Sequence, residues 1–311
     1  MNCVIVGGGG FIGSHLAEAL LELQNNVTIF DRPGAVYLEM LSQKGAVVTL
    51  GNFLDPTDLH HALTGTDIVF HLASTTVPSS STDDPVFDVE SNLVGTINLL
   101  NVAKNARVKK IVFPSSGGTV YGIPKVIPIK EDHPTNPISS YGIIKLAIEK
   151  YLALFWTLYG LDYCILRISN AYGERQAANG AQGVIPTMID KALHHQEIRI
   201  WGDGSVIRDY IHVSDIVAAF LNAAIHRGEP KIFNIGSGIG HSVNDIANTL
   251  EGLFEESLDL FYEPGRAYDV PVNILDNSLA RQGLHWEPRV NLSDGIRQTL
   301  EFMRGQVNNR N

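Results

Sequence analysis

Tyr141 and Lys145 stand one helical turn apart in the run Tyr-Gly-Ile-Ile-Lys, a spacing that sets a phenol and an ammonium on the same helix face. A phenol with its ordinary pKa near ~10 is a poor base at neutral pH. An adjacent ammonium favours the phenolate and brings it toward useful basicity. Upstream, the apolar run Lys110 to Pro114 ends in Ser115-Ser116. A serine hydroxyl at such a strand end can hydrogen-bond a substrate hydroxyl and relay its proton to the phenolate.

The first residues of the chain supply a place for a hydride acceptor. Val4-Ile5-Val6 has the length and β-branching of a buried strand, empties into Gly7-Gly8-Gly9-Gly10, and is followed by the amphipathic run Phe11 to Leu23. Glycines at 7, 10 and 13 permit a tight turn and bring backbone N–H groups close to a pyrophosphate, which then rests on the helix start at Phe11 and Ile12. The next apolar run ends at Asp31, about where a dinucleotide fold places its ribose-binding carboxylate. A carboxylate there accepts from the 2′-hydroxyl of NAD and repels the 2′-phosphate of NADP. NAD is therefore the expected cofactor, with Arg32 keeping NADP open. The positive nicotinamide of NAD favours the Tyr141 phenolate further.

Downstream of Asp31, short apolar runs alternate with longer amphipathic ones: Ala46 to Leu50, Pro56 to Leu63, Asp67 to Leu72, Pro85 to Ala106, Lys110 to Pro114, Ile143 to Tyr159 and Leu161 to Arg167. The alternation predicts an α/β fold, a doubly wound parallel sheet of the Rossmann kind with helices on both faces. Ligands bind beyond the carboxyl ends of such strands. That points to Asn52, Phe53, Leu72, Ala73, Ser74, Ser115, Ser116 and the stretch Ile168 to Tyr172, with Asn92 as a further cofactor candidate. After Tyr172 the rhythm changes, so residues 1–173 are read as the NAD-binding domain and 174–311 as mainly a smaller α/β substrate domain. The stretches 143–159 and 92–102 are apolar around more than one face, which predicts packing against a second copy in a homodimer.

Composition narrows the partners. A formal net charge of −10 argues against nucleic acid and acidic membranes. The two cysteines, Cys3 and Cys164, each lie within an apolar run and are expected as buried thiols in a reducing cytoplasm. No signal-peptide pattern and no apolar run approaching the ~20 residues of a membrane span occurs. The histidine pairs His60-His61 and His194-His195 lack other ligands at metal spacing, so no metal is expected.

The chain resembles the extended short-chain dehydrogenases/reductases, and within them the UDP-galactose 4-epimerase-like nucleotide-sugar epimerases. The resemblance is carried by Gly7 to His15, His71-Leu72-Ala73, Ser115 to Gly122 (SSGGTVYG), Tyr141 to Lys145, Leu166 to Gly173 (LRISNAYG) and Arg208 to Asp215 (RDYIHVSD). It implies a catalytic group of a serine or threonine with Tyr141 and Lys145, and Asn170 holding the ligand. It also implies that Arg208 and Arg266 grip a nucleotide diphosphate, that Asp269 contacts its ribose or sugar, and that residues 208–235 pack back on the NAD-binding domain. Asn52 stands where the better-known members carry an acidic residue for the adenine amino group; its amide oxygen can accept the same bond. Their catalytic serine often directly precedes Ala-Thr-Val-Tyr-Gly, whereas Gly117 and Gly118 precede Thr119 here. Ser116 is the expected hydroxyl, with Ser115 and Thr119 as alternatives, and Thr119 also as a substrate contact.

The same segment separates reactions. Sugar dehydratases of the family carry an Asp-Glu pair where this chain has Gly118-Thr119, and decarboxylases carry Glu at the place of Thr119. Neither carboxylic proton donor is present, which lowers both the 4,6-dehydratase and the decarboxylase readings. The expectation is an NAD-dependent nucleotide-sugar 4-epimerase acting on a UDP-sugar through a 4-keto intermediate, with tightly bound NAD. The alternatives are a nucleotide-sugar reductase or dehydrogenase on the same scaffold and, less favoured, a non-catalytic NAD-sensing protein. Asn273 falls near a position where some epimerases place a bulky tyrosine, and its smaller side chain hints at room for an N-acetyl group.

Overall fold

Strand residues such as Ile5, Ile29, Phe70, Val112 and Ile165 have no solvent exposure at all, which requires apolar cover on both sheet faces. The computed structural model describes residues 1–76, 81–178, 183–265 and 270–308. Its first part runs β1 (Asn2–Val6), α1 (Phe11–Glu22), β2 (Asn26–Asp31), α2 (Leu38–Gln43), β3 (Val47–Leu50), α3 (Pro56–Leu63) and β4 (Ile68–His71). There follow α4 (Pro85–Asp88), a π-helical turn (Val89–Val94), α5 (Gly95–Asn105), β5 (Lys110–Ser116), α6 (Ser140–Tyr159) and β6 (Asp162–Ile168). The stretch Pro85 to Ala106, read from sequence as one amphipathic run, is thus helical along nearly its whole length but widened by one π turn in its middle.

The remaining elements are β7 (Asn170–Tyr172), α7 (Val184–Leu193), β8 (Ile198–Trp201), β9 (Ile207–His212), α8 (Val213–Ile225) and β10 (Ile232–Ile235). Then come β11 (Gly240–Ser242), α9 (Val243–Phe254), β12 (Leu260–Glu263), β13 (Val272–Asn273), α10 (Ser278–Gly283) and α11 (Leu292–Asn308).

Seven parallel strands form the main sheet in the order β10-β6-β5-β4-β1-β2-β3. The order reverses direction between β1 and β4, and beyond the carboxyl ends of that pair lies the crevice where such folds bind ligands. One face of the sheet is covered by α1 and α8, including Leu16, Leu20, Ile216 and Phe220. The opposite face is covered by α3, α5 and α6, including Leu59, Leu99, Ile148 and Leu152. After the first elements of the smaller lobe the chain returns: α8 packs on α1, and β10 becomes the edge strand beside β6. The smaller lobe has β9 bonded to β7, β11 and β13, and a separate pair β8–β12. Its own core, with Ile185, Ile189, Ile246 and Leu250, lies among α7, α9 and α11.

The apolar circumference of α6 is only partly used. Ile144, Ile148, Leu152 and Phe155 are buried, whereas Ile143 is 54 % exposed and Leu158 59 %. Val86 and Phe87 on α4 are exposed too. Among the described residues no helix is long and apolar enough to cross a membrane. Both Cys3 and Cys164 are buried thiols, and burial pushes them up to about 11 and about 12.

A buried ion pair ties the sheet to α6. Glu149 accepts from Arg167 Nε at 3.0 Å and Nη2 at 2.7 Å, and from Ser115 Oγ at 2.5 Å. Burial opposes the Arg167 charge, but the Glu149 contacts outweigh it and hold the guanidinium more basic than usual. Removing one partner leaves the other charge buried without compensation. Glu149→Gln is therefore expected to cost about 3–5 kcal/mol in urea unfolding, and Arg167→Met paired with Glu149→Leu distinctly less. Equal losses for the single and paired changes would contradict this.

Candidate active site

At the switch point the first glycine turn meets the end of β4. Gly7 has φ +83°, and a Cβ there would lie 2.6 Å from Ala73 N. A Cβ at Gly13 would lie 2.7 Å from Gly7 O, so helix and turn touch backbone to backbone. At Gly10 the nearest atom to such a Cβ is Gly7 O at 3.6 Å, because this residue faces a cavity of about 750 Å³. Gly10 is the N-cap of α1, without a side-chain cap and with no acidic residue in the first turn. The N–H groups at that helix start suit an anion. Asp31, at the end of β2, accepts from Gly9 N at 2.8 Å through Oδ2 and is half-buried. This donor and acceptor set fits a dinucleotide: diphosphate on the helix start, ribose hydroxyl near the carboxylate.

The cavity brings together most of the residues singled out in the sequence. Gly7, Gly10, Phe11, Ile12, Gly13, Leu72, Ser74, Ser115, Ser116, Thr119, Tyr141, Lys145, Asn170 and Arg208 all line it. Ala73 and Asn92 lie just behind, on a smaller void shared with Ser74, Tyr141 and Lys145. Asp31 closes β2 and Arg32, Asn52 and Phe53 follow the ends of β2 and β3, outside the cavity wall. Asn52 Oδ1 accepts from Leu54 N at 3.0 Å, and Phe53 packs its ring on His71 with centroids 5.2 Å apart. Arg266 and Asp269 lie outside the described residues.

Helix α6 begins at the site because Ser139 caps it, its hydroxyl accepting from Gly142 N at 3.2 Å. The first turn then presents Tyr141, and the next Lys145. Lys145 Nζ donates to Pro114 O at 3.0 Å and stands 5.3 Å from the Tyr141 ring centroid. The two sit on one face, as their spacing requires. Their acidities differ from the sequence expectation. Burial, with the Asp88 carboxylate adding to it, pushes the Tyr141 phenol up to about 12. Burial pushes Lys145 down to about 8, against the opposing pull of Asp88 and Glu149. Without a further positive charge the pair rests as phenol and ammonium at neutral pH.

Strand β5 assigns the two serines to opposite faces. Both residues border the cavity, and the Ser115 hydroxyl is committed to Glu149. At Gly117 a Cβ would lie 2.5 Å from Leu275 Cδ1, so a side chain at that position meets Leu275. Thr119 Oγ1 is buried with no hydrogen-bond partner among the described residues, and its residue lines the cavity.

Farther from the glycine turn, Asn170 Nδ2 donates to Asp209 O at 3.1 Å, and Arg208 Nη1 donates to Ile207 O at 2.9 Å and Val270 O at 2.6 Å. Asp209 is buried, and burial raises its pKa; it accepts from Ser237 N and Oγ, each at 2.7 Å, and from Leu275 N at 3.2 Å. Those bonds fix the strand that carries Arg208. Asn273 is buried behind Gly117, donating to its carbonyl at 3.3 Å, and does not line the cavity.

One contributor was not anticipated. Val184 and Ile185 line the cavity at the start of α7, whose N-cap, Gly183, has φ +84° and no side-chain cap. The protein thus aims two helix starts at one cavity, each suited to an anion. The signal was the glycine directly before the apolar pattern at Val184, read from sequence only as a change of domain. Among the described residues no group of three or more His, Cys, Asp or Glu could hold a metal ion.

The acidities make a direct prediction. In protein stripped of nucleotide, the near-ultraviolet tyrosinate bands of wild type and Tyr141→Phe should coincide up to about pH 10. A tyrosinate component at neutral pH that vanishes in Tyr141→Phe would contradict the buried, uncompensated phenol.

Comparison with known proteins agrees with this geometry. Residues 3–236 match the NAD dependent epimerase/dehydratase family. The chain is 36% identical to the UDP-glucose 4-epimerase of Mycolicibacterium smegmatis, over 98% of this chain and 99% of that one. It superposes with a TM-score of 0.94 on the UDP-glucose 4-epimerase of Thermotoga maritima crystallised with UDP-glucose, at 36% identity, covering 99% and 100% of the two chains. The UDP-glucose 4-epimerase of Thermus thermophilus in complex with NAD gives 0.90 at 31% identity, covering 98% and 99%. This chain belongs to the NAD dependent epimerase/dehydratase family.

Proposed function

We propose that the protein is an NAD-dependent 4-epimerase of nucleotide sugars, acting on a UDP-hexose through a transient 4-keto sugar. The observation that carries this reading is the single cavity that joins the α1 start, the Tyr141/Lys145 pair, and the α7 start with Arg208. Similarity to UDP-glucose 4-epimerases along nearly the whole chain supports it.

Tyr141 takes the proton of the sugar 4-hydroxyl, directly or through Ser116. Lys145 holds the phenolate charge and the nicotinamide ribose. NAD, when bound, supplies the acceptor and then the donor of the C4 hydride. Gly7, Gly10, Phe11, Ile12 and Gly13 cradle its diphosphate; Asp31 and Arg32 meet the adenine ribose; Asn52, Phe53, Leu72, Ala73, Ser74, Asn92 and Ser115 border the rest. Arg208 and the α7 start hold the substrate diphosphate, with Asn170, Thr119, Arg266 and Asp269 as the remaining substrate contacts. Residues 1–173 with 208–235 serve the cofactor, and the rest of 174–311 mainly the nucleotide sugar. The exposed apolar face of α4 and α6 is covered by a second copy, and a monomer mass in light scattering would overturn that assignment.

Two measurements check the activity. Purified protein given UDP-glucose should form its 4-epimer in NMR spectra with no net NADH, whereas stoichiometric NAD(P)H production or consumption would indicate a dehydrogenase or reductase instead. Tyr141→Phe should lower kcat by about 10²–10⁴-fold, the usual worth of a positioned acid–base group, and unchanged turnover would remove Tyr141 from the reaction. Lys145 acts as the ammonium, and burial lowers it to about 8 in the protein alone; the Tyr141 phenolate of the loaded enzyme favours that ammonium, so kcat should fall on the alkaline side, at or above that value.

A further inference from the structure

Asp88, the last residue of α4, is fully buried and has no part in the reaction as described so far. Its Oδ1 accepts from Thr76 Oγ1 at 2.6 Å and from Asn92 Nδ2 at 2.9 Å; its Oδ2 accepts from Ser140 Oγ at 2.6 Å. The three donors belong to the loop after β4, the π-helical turn, and the first residue of α6. The last of these directly precedes Tyr141. A void of about 10 Å³, no larger than one water, is lined by Asp88, Asn92, Thr96, Tyr141 and Lys145. Carboxylate, phenol and ammonium therefore border one small void.

The charges that face Lys145 among the described residues are few. Glu149, one turn along α6, is bound bidentately by Arg167 and by Ser115. His71 on β4 is pushed down to about 3 by burial and by Lys145 itself, so its imidazole is neutral and contributes no charge. Tyr141 is a phenol in the protein alone. Asp88 is the other carboxylate that acts on Lys145, and its side-chain donors named above are all neutral.

We propose that Asp88 is a positioning residue of this site, anchoring the first turn of α6 through Ser140 and supplying the negative charge that faces the Lys145 ammonium. The proposal rests on the pairing of Tyr141 with Lys145 in the reading above. Its electrostatic consequence has a definite sign. A negative charge at Asp88 favours the ammonium and disfavours the phenolate, so its removal moves both midpoints to lower pH.

Carbon NMR of isotope-labelled lysine, with the Lys145 signal assigned through Lys145→Met, reads that charge without turnover. In Asp88→Asn the Lys145 midpoint should fall by about one pH unit or more from its wild-type value, and the kcat–pH profile should move in the same direction. Ser140→Ala keeps the charge and removes the anchor; its Lys145 midpoint should stay in place while kcat drops at least about threefold through misplacement of Tyr141. Coincident Lys145 midpoints in wild type and Asp88→Asn would overturn the proposal. So would a Ser140→Ala enzyme as fast as wild type, a result that decides the matter if Asp88→Asn does not fold. A wild-type protein that epimerises no UDP-hexose would remove the functional reading alone, since the NMR midpoints report the coupling of Asp88 to Lys145 independently.

Discussion

Everything at the site depends on how closely two strand ends approach each other. Gly7 leaves β1 with its Cα hydrogen against the backbone of Leu72 and Ala73, at a distance that admits no side chain. Gly13 repeats the contact one layer out, against Gly7 and Gly8. With side chains at these points the turn would widen and α1 would tilt away from the sheet. Instead the start of α1 stays beside the ends of β4 and β5, close enough for one ligand to lie across all three. Glycine here costs chain entropy on folding, and the return is a backbone surface that a diphosphate can reach.

Around that backbone cradle the protein buries charge sparingly and gives it partners. Glu149 and Arg167 compensate each other within the sheet layer, and Asp209 is satisfied by the backbone of the loop that follows β10. At the Tyr141 and Lys145 pair, burial disfavours the charged form of each. A phenol and an amine displaced in opposite senses from their ordinary values are poised to respond to an arriving charge.

Much of this was legible in the sequence because the signals are local. A strand, a glycine turn, a helix and a second strand ending in Asp31 follow one another over residues 2–31, and each rests on backbone sterics or periodicity. The spacing of Tyr141 and Lys145 likewise carries its own geometry. What sequence reasoning missed depends on distant segments. That the Ser115 hydroxyl is engaged by a carboxylate depends on Glu149, 34 positions away. The Tyr141 acidity is set by burial and then by Asp88, which lies on another helix far back in the chain. That the start of α7 borders the same cavity required knowing that Gly183 returns to the cavity that Gly7 opens. The placement of Asn273 also depends on a distant segment, since its side chain donates to the Gly117 carbonyl.

In the proposed reaction one hydrogen leaves C4 of the sugar and returns to the same carbon without leaving the cavity. UDP-glucose deuterated at C4 tests this most directly. The expected product is UDP-galactose that still carries the deuterium at C4, with none lost to water or to added unlabelled NADH. Product with deuterium washed out, or with the configuration changed at any other carbon, would contradict it.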